Sequence, residues 1–411
     1  MQNYDFSHLG VPRIFIERLE TRGIKSPTEI QNRVIPRVFR GENFLFRSAT
    51  GTGKTFAYLL PILGRLLEPE PPGNGGPSGG VSQKGPVCLV CAPTYELCSQ
   101  IKGEADFLLE DTKLKTALLI GSARMERQIE GLKKDRPALI VGNPGRLLVL
   151  ARMGKLKFRN LKFLVFDEGD RLVSDELFDE TRELAELVRK ALSPEGRLTA
   201  LACSATFPAK SRERLLPLLG DRSESEESGG AEVLKDQIEH WAFFSESRRK
   251  ISALRSFIAA VCPGGRKASF KALVFTSQGN QVENTVSQLR HHKLDAAGLW
   301  GGMDKQLRKK VLDGFRSGSV RIVVTTDLAA RGLDIDGISH VIALDSGSGS
   351  DAYLHRAGRT ARAGKKGVMV TIGDEEDLRR LAVMEKKLGI IVYPKELYGG
   401  RIVTPEVPSQ D

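Results

Sequence analysis

Residues Ser48-Ala49-Thr50-Gly51-Thr52-Gly53-Lys54-Thr55 stand between the apolar run Phe44-Leu45-Phe46 and a helical stretch, Phe56–Leu67. A strand, a glycine-bearing turn and a helix start in that order aim backbone N–H groups and a positive dipole end at one point, which suits a phosphate. Lys54 is placed to reach the β- and γ-phosphates of a nucleotide, and Thr55 to hold a Mg²⁺ ion. Such a loop belongs at the edge of a parallel sheet with helices on its faces.

A second stretch fits the same sheet. Phe163-Leu164-Val165-Phe166 is an apolar strand that runs into Asp167-Glu168-Gly169-Asp170. A carboxylate at the C-terminal edge of a neighbouring parallel strand lies where a cation beside the loop must be held. Asp167 is the candidate metal residue, acting through metal-bound water. Glu168 is the candidate general base for an attacking water. Clustered acids usually mark a solvated face, but these follow a buried strand.

The rest of the chain repeats the alternation of short apolar runs with helical patterns. Strands are expected near Asn43–Arg47, Val87–Ala92, Lys115–Ile120, Ala138–Val141, Phe163–Phe166 and Thr199–Ala202. A second set is expected near Gln237–Phe244, Ala272–Phe275, Asp295–Leu299, Arg321–Thr325, His340–Leu344 and Gly367–Thr371. Two sets of six imply two doubly wound α/β domains, which 411 residues can fill. Glu68–Pro86, rich in Pro and Gly, reads as a surface insertion, and the acidic, Ser/Gly-rich Asp221–Gly230 as part of a connection.

Composition excludes several classes. With 40% hydrophobic and 27% charged residues and no apolar run of spanning length, the chain reads as globular, without a transmembrane helix. Its start, Met1-Gln2-Asn3-Tyr4-Asp5, lacks the pattern of a signal peptide, so cytoplasm is expected. Five cysteines argue against a disulfide framework. Cys88 and Cys91 form a CxxC, but they sit inside an apolar run with no second pair to complete a metal site, so they read as core. The net charge of +11 is shared evenly. Residues 1–220 hold 33 Lys+Arg and 26 Asp+Glu, residues 231–411 hold 28 and 21, and 221–230 contribute −3. Two basic halves suit a polyanion lying across both, although charge kept for solubility gives the same count.

Motif by motif, residues 6–372 resemble the DEAD-box RNA helicases, in the bacterial form with a short C-terminus. Asp167–Asp170 reads D-E-G-D for the family's D-E-A-D, Ser48–Thr55 matches its phosphate loop with serine first, and Ser204-Ala205-Thr206 matches its S-A-T. The stretch Gly23–Gln31 is similar to its adenine-reading Q motif, with Phe6 upstream as a stacking aromatic and Ile24 where phenylalanine is usual. Leu273–Ser277, Thr325–Asp334 and His355–Arg362 look like motifs IV, V and VI.

The resemblance implies two tandem RecA-like domains, each a parallel sheet flanked by helices. It implies ATP binding by Phe6, Gln31, Thr50, Gly51, Thr52, Gly53, Lys54, Thr55, Gly332 and Asp334, and catalysis by Glu168, Lys54, Arg359 and Arg362. The two arginines would be fingers on the γ-phosphate. Mg²⁺ would sit by Thr55 and Asp167, while Asp170, Ser204, Thr206 and His355 would couple hydrolysis to strand separation. RNA would be met by Pro93, Thr94, Gly121, Gly145, Arg146, Thr276, Thr326 and Arg331.

The domains implied are 1–34 (the Q-like region), 35–220, a linker at 221–236, 237–400, and a tail at 401–411. The expected partners are ATP and RNA, as single strands or short duplexes, bound by a monomer with no membrane.

Departures from the family cluster in the first-domain RNA motifs. Tyr95 replaces the arginine of P-T-R-E-L-A, Ser122 the second glycine of G-G, and Asn143 the threonine of T-P-G-R, while Trp300 and Lys305 replace the usual His and Gln of motif IVa. Three activities fit: local RNA unwinding, an ATP-gated RNA clamp that unwinds little, and a DNA translocase on the same fold. The Q-like motif and the D-E-x-D/S-A-T pairing argue against the third.

Overall fold

The apolar runs fold as strands buried on both faces, the condition that a parallel sheet covered by helices imposes. In β1 (Phe44–Arg47), Phe44 and Phe46 enter one core layer while Leu45 enters the opposite one. β2 (Cys88–Cys91) alternates likewise, so Cys88 and Cys91 point to opposite faces and cannot share a metal or a disulfide. All five cysteines are buried core residues, and none is in a disulfide.

The computed structural model describes residues 5–48, 52–68, 86–192, 196–220, 224–227, 237–263, 270–330, 335, 337–347, 349–361 and 366–405. Two units divide the chain, the first running to Ser228 and the second starting at Gly229.

In the first unit the remaining strands are β3 (Thr116–Leu119), β4 (Leu139–Gly142), β5 (Phe163–Asp167), β6 (Thr199–Ser204) and β7 (Glu224–Glu227). They form one parallel sheet in the order β3-β4-β2-β5-β6-β1-β7. Its helices are α1 (Arg13–Thr21), α2 (Glu29–Phe39), α3 (Lys54–Leu67), α4 (Tyr95–Leu109), α5 (Met125–Asp135), α6 (Pro144–Arg152), α7 (Gly169–Leu172), α8 (Phe178–Ala191) and α9 (Ala209–Leu219). One face packs on residues of α1 to α4, the other on residues of α6 to α9. This order splits the sheet's C-terminal edge in two: β1, β6 and β5 end side by side, and so do β2, β4 and β3.

The second unit holds β8 (Ile238–Phe244), β9 (Ala272–Phe275), β10 (Ala296–Leu299), β11 (Ile322–Thr325), β12 (His340–Ala343), β13 (Gly367–Gly373), β14 (Val392–Tyr398) and β15 (Arg401–Val403). The sheet order is β10-β11-β9-β12-β13-β8-β14-β15, parallel except for the last pair. Its helices are α10 (Lys250–Val261), α11 (Gly279–His291), α12 (Lys305–Ser317), α13 (Asp327–Ala330), α14 (Ser350–Ala357) and α15 (Glu375–Leu388).

Each sheet is thus larger than the six strands expected. Part of the segment 221–236, expected as a connection, is strand β7, paired in parallel with β1. Residues 401–403, expected as tail, form β15 against β14. The insertion at 69–85 lies outside the described residues. Among the described residues no helix is long and apolar enough to cross a membrane.

Candidate nucleotide site and nucleic-acid cleft

Three strand ends assemble the first site. β1 leads to the phosphate loop, β5 ends in Asp167, and β6, hydrogen-bonded to both, ends in Ser204. The loop is braced by its own residues and by the Q-like segment. Ser48 and Thr52 share a hydroxyl–hydroxyl bond of 2.5 Å, and Lys54 Nζ donates to the Ser48 carbonyl at 2.8 Å. Thr28 Oγ1 donates to the Thr52 carbonyl at 2.8 Å, and Gln31 Nε2 to the Gly53 carbonyl at 3.1 Å. Gly53 has φ +89°, and a Cβ there would collide with the Gln31 amide, so conformation and space both require glycine. The Gln31 carbonyl accepts from Thr28 N at 2.9 Å. Gln31 therefore binds the loop with one end of its amide and the start of its own helix with the other, which places the residue that the resemblance assigns to adenine directly beside the phosphate loop.

The acids are fixed just as closely. Asp167 is 3% exposed. Its Oδ1 accepts from Glu168 N at 2.8 Å and from Cys203 Sγ at 3.2 Å, and its Oδ2 from Tyr58 Oη at 2.8 Å. Burial, and then the Asp167 charge, push the Tyr58 hydroxyl far above its usual range, so it remains a donor. Burial does the same for the Cys203 thiol. Glu168 has φ +49°, a conformation that costs a non-glycine residue roughly 1–2 kcal/mol. That turn ends the buried strand and re-aims the chain into α7. Asp170 then bridges to the end of β6, accepting from Ser204 Oγ at 2.5 Å and Thr206 Oγ1 at 3.0 Å. One carboxylate thus ties the D-E-G-D segment to S-A-T.

Glycine at 169 has a local cause. A Cβ there would start 3.2 Å from Leu215 Cδ1 and 3.5 Å from Ala202 Cβ, tighter than ordinary packing at the leucine. An alanine methyl there would require Leu215 of α9 to give by a few tenths of an ångström.

The other half of the edge forms a cleft of about 460 Å³. Pro93 follows β2, Gly121 follows β3, and Asn143, Gly145 and Arg146 follow β4, and all five line it together with Glu180. Thr94 caps α4, accepting from Leu97 N at 3.3 Å. Arg146 Nη2 donates to the Gly121 carbonyl at 2.9 Å. Asn143 Oδ1 and Arg146 Nη1 are buried without a hydrogen-bond partner among the described residues. Tyr95 is 49% exposed.

In the second unit, Arg356 is 2% exposed and grips Asp327 with Nε and Nη2, both at 2.7 Å. It also reaches Asp345 Oδ1 at 3.0 Å. Burial pulls its pKa down, but the two carboxylates more than offset this, and it stays charged. Arg359 is buried, and its Nε donates to the His355 carbonyl at 3.2 Å. Thr326 Oγ1 accepts from Ala329 N at 3.4 Å, opening α13.

Two placements depart from expectation. Phe6 is 1% exposed inside the first-unit core, so its ring offers no face for stacking. Thr276 is 2% exposed, with its hydroxyl donating to the Gln278 carbonyl at 3.3 Å. Thr50, Gly51, Arg331, Gly332, Asp334 and Arg362 lie outside the described residues. Tyr58, Cys203 and the Arg356–Asp327–Asp345 cluster were missed by sequence reading. Tyr58 carried a signal, as a hydroxyl one turn beyond Lys54 within the apolar stretch Phe56–Leu63.

Comparison with known proteins comes to the same place. The DEAD/DEAH box helicase model matches residues 28–215, and the helicase conserved C-terminal domain model matches residues 249–364. The DEAD-box ATP-dependent RNA helicase CshC of Bacillus cereus is 35% identical over 396 residues, covering 95% of this chain and 94% of the relative. The ATP-dependent RNA helicase SrmB of Haemophilus influenzae is 32% identical, covering 97% and 84%. Among solved structures, S. cerevisiae Dbp5 bound to RNA and ADP BeF3 superposes with a TM-score of 0.78 at 23% identity, covering 95% of each chain, a likeness of fold.

Proposed function

The chain belongs to the DEAD-box ATP-dependent RNA helicase family, and on that premise we propose that it hydrolyses ATP to ADP and phosphate while binding and locally unwinding or remodelling RNA. The observation that carries this reading is the Asp170 bridge to Ser204 and Thr206. It makes the acids that meet ATP and the segment that answers them one hydrogen-bonded unit.

The residues fit Mg²⁺. A hydroxyl at the start of α3 and a buried carboxylate at the end of β5 are hard oxygen donors. Among the described residues no cluster of His, Cys, Asp or Glu forms a protein-only metal cage. That suits an ion held by one or two side chains and by substrate phosphates. Bound there, Mg²⁺ would neutralise charge on the β- and γ-phosphates. Thr55 and Asp167 would hold it, Lys54 would leave the Ser48 carbonyl to bind phosphate, and Glu168 would orient the water and take its proton. We assign Arg359 and Arg362 the role of guanidinium donors to the γ-phosphate. Five reduced thiols agree with action in the cytoplasm.

An ATP-gated RNA clamp with weak unwinding is the second reading. Tyr95, exposed where the family places arginine, favours it. Steady-state ATPase with RNA, DNA or neither, run beside a short-duplex unwinding assay, tests both. Stimulation by RNA above DNA with unwinding is the expected result. Stimulation without unwinding selects the clamp, and equal stimulation by DNA overturns the RNA assignment.

A further inference from the structure

The first-unit cleft contains a charge of the wrong sign for the ligand proposed above. Gly145 is the second residue of α6, and a Cβ on it would stand 3.0 Å from Glu180 Oε2 and 3.2 Å from Oε1. The carboxylate of α8 therefore lies against the start of α6. That start is otherwise an open anion site. Pro144 at the first helical position has no N–H, and Leu147 N is bonded to the Asn143 carbonyl at 3.1 Å. The amides of Gly145 and Arg146 are left as first-turn donors, with the positive end of the helix dipole behind them. Asn143, the residue placed to cap them, makes no side-chain capping bond, and its buried Oδ1 has no partner among the described residues. Arg146, the cation that shares the cleft, gives Nη2 to the Gly121 carbonyl and not to Glu180.

We propose that Glu180 sets this enzyme's affinity for single-stranded RNA. It holds a carboxylate where a backbone phosphate would meet the α6 amides, so RNA must displace it. The inference rests on the RNA-binding reading and adds a specificity residue to it. A strand binding here meets one favourable helix terminus and one like charge, and the second weakens the first. Such a repulsion acts over a few ångströms near solvent, so it is strongest at low ionic strength and fades as salt screens it.

The test is RNA affinity of the full chain by fluorescence anisotropy, using a labelled single-stranded RNA and a non-hydrolysable ATP analogue, at several salt concentrations. Glu180→Gln keeps the shape and removes the charge. It should bind about 5-fold tighter at low salt, with the improvement shrinking towards unity as salt rises. Glu180→Lys should bind tighter again and steepen the logarithmic salt dependence by about 0.7 for each phosphate the lysine neutralises. The order Glu, Gln, Lys with that salt pattern supports the proposal. Wild-type RNA binding with no difference among the three overturns the role of Glu180 and leaves the RNA reading standing. No RNA binding by any of the three overturns both.

Discussion

The two halves of the first sheet's C-terminal edge are built from the same parts and finished differently. At the ends of β1, β6 and β5, polar side chains answer one another. Asp167 is held on both oxygens, Asp170 takes two hydroxyls, and Gln31 and Thr28 bind the loop backbone. At the ends of β2, β4 and β3, Asn143 and Arg146 keep buried polar atoms without partners among the described residues, Tyr95 faces solvent, and a carboxylate lies against a helix start. The acids of the first half are preorganised by the protein itself, and on the proposed reading only Lys54 has to leave its partner, the Ser48 carbonyl, when nucleotide binds. The second half keeps polar atoms that, on the proposed reading, the bound strand would meet. Fixing acids to a fraction of an ångström requires buried donors, whereas following a flexible polyanion requires exposed, adaptable contacts. An enzyme built this way should tolerate change poorly in one half and acquire new binding strength readily in the other.

The sharpest way to break that contrast is at Glu168. Glu168→Gln should cut steady-state ATPase by ~10²-fold or more while ATP and RNA still bind, because only the base is lost. Lys54→Ala, in contrast, should lose nucleotide binding. Near wild-type turnover in Glu168→Gln would remove the residue from the mechanism.

A smaller effect is expected one layer out. Tyr58→Phe keeps the ring and deletes one donor to a buried carboxylate, a loss of roughly 1.5–3 kcal/mol. The melting temperature should fall by several degrees. The Mg²⁺ concentration needed for half-maximal binding of a fluorescent ADP should rise about 5-fold, as Asp167 loses its fixed orientation. A lowered melting temperature with an unchanged Mg²⁺ midpoint would confine Tyr58 to packing.

The smallest effect belongs to the open half. Tyr95→Arg restores a cation that tyrosine cannot replace, because a phenol does not neutralise phosphate. RNA binding should tighten a few-fold and its logarithmic salt slope steepen by about 0.7. Since Tyr95 is half exposed at the start of α4, the substitution should leave the melting temperature nearly unchanged. An unchanged slope would show that no phosphate comes near this position.

Much of this contrast was legible before any coordinates. Alternating apolar runs located twelve strands to within a residue or two, because burial on both faces of a parallel sheet leaves a continuous signature. β7 escaped because Glu224-Ser225-Glu226-Glu227 has no apolar pattern and is a strand only by pairing with β1. β14 escaped because Pro394, Lys395 and Glu396 interrupt it, which the strand tolerates because Pro394 lies where it pairs with β8 alone, before the stretch that meets β15. Motif residues were legible one at a time, but their partners were not. The bond from Tyr58 to Asp167 spans 109 positions and exists only because the sheet order brings α3 beside the end of β5. The burial of Phe6 and Thr276 was hidden for the same reason, since exposure belongs to packing and not to sequence pattern.

The glycine of D-E-G-D carries a last consequence. Read as a letter, it marks divergence from the family; read as volume, it is the place where a Cβ would meet Leu215 at 3.2 Å. The two positions are then coupled by packing. Gly169→Ala should be better tolerated beside a slimmer residue at 215 than beside leucine, which a double-mutant cycle of melting temperatures checks. Gly169 and Leu215 are thus packing partners, so an alanine at the motif's third letter is a question of room beside α9 and not of the acids on either side of it.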